Sequence, residues 1–470
     1  MLPWYSYIGS VHNMERNLTT GSVGKNIVIF ALPYLLSYLL QTLYGMADLY
    51  IIGQFEGVAG TTAVSIGSQV MHMLTVMIVG LAMGATVYIG QAIGAGDRRN
   101  AARGIGNTVT LFMVVSVALT VLLILLVRPI TAVMSTPADA VSGTVDYLTI
   151  CFIGIPFITA YNVISAVFRG MGDSRSPMYF IAVACAANIA LDYLFMGALD
   201  MGPAGAALGT TLSQTVSVAV SLAVILKKKT GIALAKDDFR PDRPVTRQIT
   251  KVGLPIALQD GLIQVAFIVI TVIANHRGLN DSAAVGIVEK IMSFLFLVPS
   301  SMLSTVSALG AQNIGAGKPE RAVQTMRLAA LLSAAFGVLV CAGIQLAAEP
   351  VVALFTDGST AEGAAVVRLG AQYLRGYVWD CIFAGIHFCF SGYFCAIGRS
   401  ELSFLHNILA ILLVRIPGAY LTSRMFPDTL LPMGLATGAG SILSIAICAA
   451  AFILLRRRER GAKGETTHGA

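Results

Sequence analysis

Twelve apolar runs, each about as long as a helix that crosses a bilayer, leave this chain few ways to fold. They lie at approximately 26 to 52, 61 to 89, 104 to 127, 143 to 168, 176 to 199, 203 to 226, 250 to 275, 282 to 310, 323 to 347, 366 to 396, 402 to 424 and 431 to 455. A hydrocarbon core roughly 30 Å thick is spanned by ~20 residues of helix. With no water inside it, every backbone N–H and C=O must find a partner in the chain, which a helix supplies by itself. Composition agrees: 12% of the 470 residues are charged and 56% are hydrophobic, the mean hydropathy is +0.77, and soluble domains carry ~25% charge. The expected fold class is an all-α polytopic membrane protein with twelve transmembrane helices.

Orientation follows from where the bases fall. Alternate connections on one side hold 24 Lys and Arg, among them Arg98, Arg99, Lys227 to Lys229 and Arg456 to Arg458, while the opposite connections hold only Arg128, Arg277, Arg368 and Arg424. Basic loops stay in the cytoplasm, so both termini are expected there, in the cell (inner) membrane. In a soluble chain the net charge of +7 would hint at nucleic acid. Here the bases read as topology signals, and no nucleic-acid partner is expected. Residues 1 to 24 lack the short apolar core and cleavage site of a signal peptide, so the first span is expected to direct insertion. The domain plan is an N-terminal six-helix lobe (1–226), a cytoplasmic basic linker (227–249), a C-terminal six-helix lobe (250–455) and a cytoplasmic tail (456–470).

The two lobes are copies. Gly90 onward reads GQAIGAGDRRNA and Ala311 onward reads AQNIGAGKPERA, a shift of 221 residues. Gly-Leu-Pro at 253 to 255 answers Ala-Leu-Pro at 31 to 33, Pro350 answers Pro129, and FCAIGRS from Phe394 answers FRGMGDS from Phe168. An even number of spans in each copy gives both the same orientation, related by an axis along the membrane normal. Two parallel-related six-helix bundles of this kind can rock around a central cavity.

Polar residues inside the spans are the candidate site. Asp48 lies ~30 Å along the first span counted from Ile27, and a carboxylate in a span needs a wet cavity or a cation. Pro33, in the same span, lacks the N–H that would bond the carbonyl of Ile29 and predicts a bend. Asn188 and Asp192 are four apart and share a face, with Asp192 ~24 Å from Ser176. Thr210 falls ~10 Å below Pro203 on the next span and joins the same level. Two carboxylates, an amide and a hydroxyl at one depth suit a hard cation, or a proton shared between acids.

These residues carry a resemblance over nearly the whole chain. Leu32-Pro33 with Gln41 and Asp48-x4-Gly53, the loop GQAIGAGDRRNAAR from Gly90, FRGMGDSRSP from Phe168, NIALD from Asn188 and GAALGT from Gly205 resemble the multidrug and toxic compound extrusion (MATE) family. The resemblance implies a cation-coupled (H+ or Na+) antiporter that exports amphipathic, often cationic drugs or metabolites by alternating access. Asp48, Asn188, Asp192 and Thr210 would serve ion coupling and line the substrate cavity. It also implies that Pro33 bends the first span. A lipid-linked saccharide flippase of the wider superfamily is the alternative, though it should show a more cationic cavity than these spans offer.

The second copy departs from the first. No acid of its first span answers Asp48; Gln259, Asp260 and Gln264 follow Pro255 instead, with Glu289 and Lys290 in the eighth span and Asp380 in the tenth. Asp380 resembles an acid that sodium-coupled relatives use, but their seventh-span glutamate has no match in place. These five, Gln259, Asp260, Gln264, Glu289 and Asp380, form a possible second-lobe polar site. Glu289 and Lys290 are expected to find structural partners, and Arg375 is a poor partner for Asp380 at a spacing of five.

Other chemistry is not indicated. The seven cysteines lie in apolar segments without CxxC spacing and are expected to be reduced packing residues. His72, His387 and His406 are expected to be packed and neutral, with no metal set. No nucleotide-binding loop, HExxH or nucleophile elbow occurs, so the chain is expected not to be an enzyme and to need no cofactor beyond its coupling ion. Its expected partners are a small amphipathic substrate and the lipid bilayer, and it is expected to be a monomer.

Overall fold

A computed structural model describes residues 17–227, 232–356 and 358–467, with side chains as far as 458. Sixteen α-helices build it: α1 (Val23–Phe55), α2 (Val58–Gly94), α3 (Arg98–Val133), α4 (Ala138–Ile153), α5 (Ile155–Gly170), α6 (Arg175–Asp192), α7 (Gly202–Lys227), α8 (Arg243–Asn275), α9 (Leu279–Leu295), α10 (Leu297–Gly315), α11 (Pro319–Ala353), α12 (Ala361–Tyr377), α13 (Asp380–Ala396), α14 (Ser400–Ala410), α15 (Ile416–Met425) and α16 (Leu431–Thr467). Among the described residues ten stretches are long and apolar enough to cross a membrane unbroken, and two bent pairs, each counted as one span, raise the number to twelve. The bent pairs are α4 with α5, at 49°, and α12 with α13, at 40°. Both fall where the sequence reads one span, at the fourth crossing of each copy. Gly154 and Pro156 mark the first break; nothing comparable marks the second, at Val378 and Trp379.

The duplication is visible in the turns. Gly96, Gly172, Gly317 and Gly398 each take a positive φ of +70 to +89° where one helix ends and the next begins. These are the matched glycines of the repeated loops, and the left-handed conformation at a helix end is available to glycine at no steric cost. The residue after the turn then caps the next helix in the first copy: Asp97 accepts from the N–H of Asn100 at 2.9 Å, and Asp173 from those of Arg175 and Ser176 at 2.9 and 3.1 Å.

By contact the chain divides into two compact units: residues through Ala257 with Ser307–Ala322, and Leu258–Val306 with Val323 onward. In the first unit α2 packs on α5 and α4, α6 on α7 and α1. One apolar cluster around Ile89, Phe112, Tyr161, Phe168 and Ile249 lies toward the glycine turns. A second surrounds Ile51, Ile52, Tyr147, Phe152 and Met196. In the second unit α16 is central, packing on α12, α13, α14 and α15, and the core gathers Tyr373, Tyr377, Ile270, Val288 and Met433.

The connection between the copies is shorter and better anchored than its basic composition suggests. α8 begins at Arg243, not near 250, with Pro244 in its first turn, where a missing N–H costs nothing. Residues 228–231 of the linker lie outside the described residues. Beyond them a short 3-10 turn, Lys236–Phe239, is docked on α3 of the first unit. Buried Asp238 meets Arg99 at 2.8 Å, Asp242 pairs with Arg103, Asn107 accepts from the N–H of Asp242 at 2.6 Å, and Thr110 donates to the carbonyl of Phe239 at 2.7 Å. The segment before α1 is tied down as well. Gln312 accepts from the N–H of Leu18 and donates to the carbonyl of Gly170, both at 3.1 Å. Lys318 donates to the carbonyl of Thr19 at 3.0 Å, and Arg321 to those of Thr20 and Gly21 at 2.9 and 2.8 Å.

Candidate functional site

In the first unit the four expected residues come together. Asp48 on α1, Asn188 and Asp192 on α6 and Thr210 on α7 are all buried, Asn188 and Asp192 completely. Thr210 donates to Asp48 Oδ2 at 3.2 Å, Asn188 donates to Asp192 Oδ1 at 3.5 Å, and Gly209, the residue before Thr210, lies against Asp192 Oδ1, so the two carboxyl groups are neighbours. Two buried carboxylates so placed repel one another unless a proton or another cation neutralises the pair. Acceptors outnumber donors around the pair. Asp48 Oδ1, Asp192 Oδ2, Asn188 Oδ1, Thr211 Oγ1 and Gln214 Oε1 are buried without a hydrogen-bond partner. No lysine or arginine forms an ion pair with either acid among the described residues.

Local structure explains how the acids reach one another. At Asp192 the helix stops being regular: a π-helical segment, Tyr193–Ala198, follows directly, and such widened turns recur at functional sites. Gly209, within the GAALGT stretch, faces Asp192, and a methyl group there would overlap Asp192 Oδ1. The carboxylate therefore occupies space that only glycine leaves open. The sequence reading missed this contact, and missed Gln214, a turn beyond Thr210, which is buried beside Tyr44 of α1. The spacing from Thr210 to Gln214, four along one helix, was the available signal.

Pro33 lies inside α1, which runs as one helix from Val23 to Phe55. Ser37 donates to the Pro33 carbonyl at 3.0 Å. Beside it Tyr34 donates to the hydroxyl of Tyr38 at 3.1 Å and stacks under Arg169, whose guanidinium carbon is 5.2 Å from the ring centroid. By contrast α11 leaves helical geometry at Ala347, three residues before Pro350.

Of the five polar residues of the second copy, Glu289 and Asp380 fall in one group joined through Tyr373, Thr437 and Arg415, and no hydrogen bond or ion pair ties Gln259, Asp260 or Gln264 to it among the described residues. Gln259 is buried and accepts from Ser403 at 2.7 Å. Asp260 and Gln264 are half-buried on α8. Glu289 accepts from the hydroxyl of Tyr373 at 3.2 Å, and that hydroxyl also meets Thr437 Oγ1 at 3.3 Å. Asp380 is fully buried, and its partner is Arg415, at 2.7 Å; Arg375, the poor partner by spacing, pairs with Glu349 at 3.5 Å instead. Arg415 ends a second π-helical segment, Ile411–Arg415. It is not among the polar residues that the sequence put forward. An arginine in the middle of the run 402 to 424 was the signal.

Among the other groups, all seven cysteines are free and buried. His387 and His406 are packed, each against a serine hydroxyl, Ser441 at 3.2 Å and Ser391 at 2.9 Å. His72 corrects the expectation of packing: it is exposed on α2 while its neighbour Met71 is buried, because successive helix positions point ~100° apart. No group of three or more metal ligands occurs among the described residues.

A bundle of apolar crossings, built twice over and enclosing a carboxylate pair without a resident base, defines a polytopic membrane transporter. The MatE family model matches residues 33–194 and 255–421, and the chain belongs to that family. It is 27% identical over 411 residues to the probable multidrug resistance protein YoeA of Bacillus subtilis (strain 168), covering 86% of this chain and 88% of that one. To the FAD transporter of Shewanella oneidensis it is 25% identical over 438 residues, 90% and 95% of the two chains. A solved structure of a MATE protein in complex with MaL6 superposes with a TM-score of 0.87 over 95% of this chain and 99% of that one, at 23% identity, a likeness of fold.

Proposed function

We propose that this transporter is a cation-coupled antiporter that exports amphipathic, often cationic small molecules from the cytoplasm, with proton or sodium and substrate exchanging at Asp48 and Asp192. The observation that supports it most is the closeness of two buried carboxyl groups whose hydrogen-bond partners are neutral. Such a pair gives up a cation only to another cation, so ion and substrate compete for it and move in opposite directions. Asn188 and Thr210 hold the two acids at one depth. The proline of α1 provides a position where a helical hydrogen bond is already missing, and bending there costs less than elsewhere in the span. The excess of bases on one side of the crossings supports a cytoplasmic position for both termini.

Efflux of a fluorescent organic cation from proteoliposomes, driven by an imposed proton or sodium gradient, tests the reading. One of the two gradients should drive efflux and the other should not. Efflux driven by neither would refute the coupling. Orientation is checked in a cysteine-free background: a cysteine at Lys236 should label from the cytoplasmic face only and one at Leu279 from the opposite face only, and labelling of both from one face would overturn the assignment.

A further inference from the structure

The second unit contains an acid that is already occupied. Asp380 opens α13 at the break in the tenth crossing and is fully buried, with Oδ2 accepting from Arg415 Nη2 at 2.7 Å. Arg415 Nε donates to the carbonyl of Thr437 at 2.9 Å. The guanidinium carbon lies 5.8 Å from the Phe267 ring centroid and 5.9 Å from that of Tyr377. A second carboxylate, Glu289, stands beside the group, held by the hydroxyl of Tyr373 that also meets Thr437. A buried carboxylate, a carbonyl oxygen and two aromatic rings are the components with which proteins bind a flat monovalent organic cation. Here the occupant is the chain's own side chain.

We propose that Arg415 is a tethered occupant of a cation site in the second unit, one whose free ligand would be a guanidinium-type monovalent cation. While the side chain is in place the site is filled, and Asp380 neither requires nor exchanges an ion. The consequence for transport rests on the proposed cation coupling: ion exchange is confined to Asp48 and Asp192. The existence of the site does not depend on that reading.

Shortening the tether empties the site without removing its walls. Arg415→Ala should bind methylguanidinium at millimolar concentration, read as a rise in thermal unfolding midpoint, and should regain transport in its presence. Urea, flat and of similar size but neutral, should do neither. Wild-type protein should show no response beyond what an organic cation produces at Asp48 and Asp192, because its second-unit site is filled, and the double variant Asp380→Asn with Arg415→Ala should match wild type, because the charge that holds the ligand is gone. A folded Arg415→Ala protein that ignores methylguanidinium would overturn the proposal, as would a double variant that responds equally. If Arg415→Ala is recovered as monodisperse protein only when methylguanidinium is present throughout purification, the proposal stands; if it is recovered with neither methylguanidinium nor urea, the proposal fails. Because binding is read at equilibrium without a gradient, a failure here is distinct from a failure of the antiport reading, which the wild-type efflux assay decides.

Discussion

The fifth crossing of the first copy and the eleventh crossing of the second are repeats of one another, yet they carry opposite charges at closely equivalent places. Asp192 immediately precedes the π-helical segment of one and Arg415 ends that of the other. In the first unit an acid therefore stands near a second acid, Asp48, and neither forms an ion pair with a lysine or arginine among the described residues. In the second unit a base faces an acid, Asp380, and the pair is complete as folded. A duplicated bundle thus holds one acid paired with an acid and one paired with a base, and the partner acids lie on different crossings of the two copies, Asp48 on α1 and Asp380 on α13.

The comparison breaks most readily at its acid pair. Asp48→Asn and Asp192→Asn should each reduce gradient-driven efflux by roughly 100-fold while leaving expression near normal, because a permanently neutral group cannot cycle between ion and substrate. If the coupling ion is the proton, wild-type efflux rises as the medium outside is acidified relative to the lumen, and the Asp48→Asn variant should not follow. Normal rates with wild-type pH dependence would remove Asp48 from the mechanism.

The self-neutralised pair should behave in the opposite way, through stability. Arg415→Met leaves Asp380 buried and alone, and loss of one partner of such a pair costs about 3 to 5 kcal/mol. Adding Asp380→Asn should recover most of it, and thermal unfolding of the single and double variants gives the coupling. In the first unit, Gly209→Ala should displace the Asp192 carboxylate at an overpacking cost of about 1 to 3 kcal/mol. Ion half-saturation should then shift by roughly tenfold in transport assays, with the fold intact. The smallest effect is expected at Pro33→Ala, which restores a helical hydrogen bond at a place where bending is cheap. Turnover should fall by roughly two- to fivefold while equilibrium substrate affinity, measured by fluorescence titration, stays near wild type.

What the sequence made legible follows the range of each interaction. Crossings are local properties of apolar runs, and all twelve expected spans fall on helices or bent pairs. Asn188 with Asp192 is readable because one helix turn places them together, and Asp48 and Thr210 because depth along a span can be counted from its end. Arg415 and Asp380 are 35 residues apart in chain order, on different crossings, and only packing against α16 brings them into contact. The docked linker hid for a related reason: its composition is that of a solvated basic loop, whereas Asp238 and Asp242 meet bases that begin another helix. Proline was an uneven guide, since Pro156 accompanies a break while α1 passes through Pro33 as one helix.

The clamp on the segment before α1 sets a timetable for biosynthesis. The backbone N–H of Leu18 waits for a glutamine side chain 294 residues further along, and at about 5 to 20 residues per second that interval is roughly 15 to 60 s. Until Ser307–Ala322 has been made, the first unit lacks a strip of its own structure although its own six crossings are already inserted. A nascent chain halted between the two copies would therefore present the carbonyls of Thr19, Thr20 and Gly21 without the Lys318 and Arg321 donors that later engage them. Completion of the first copy is an event in the synthesis of the second.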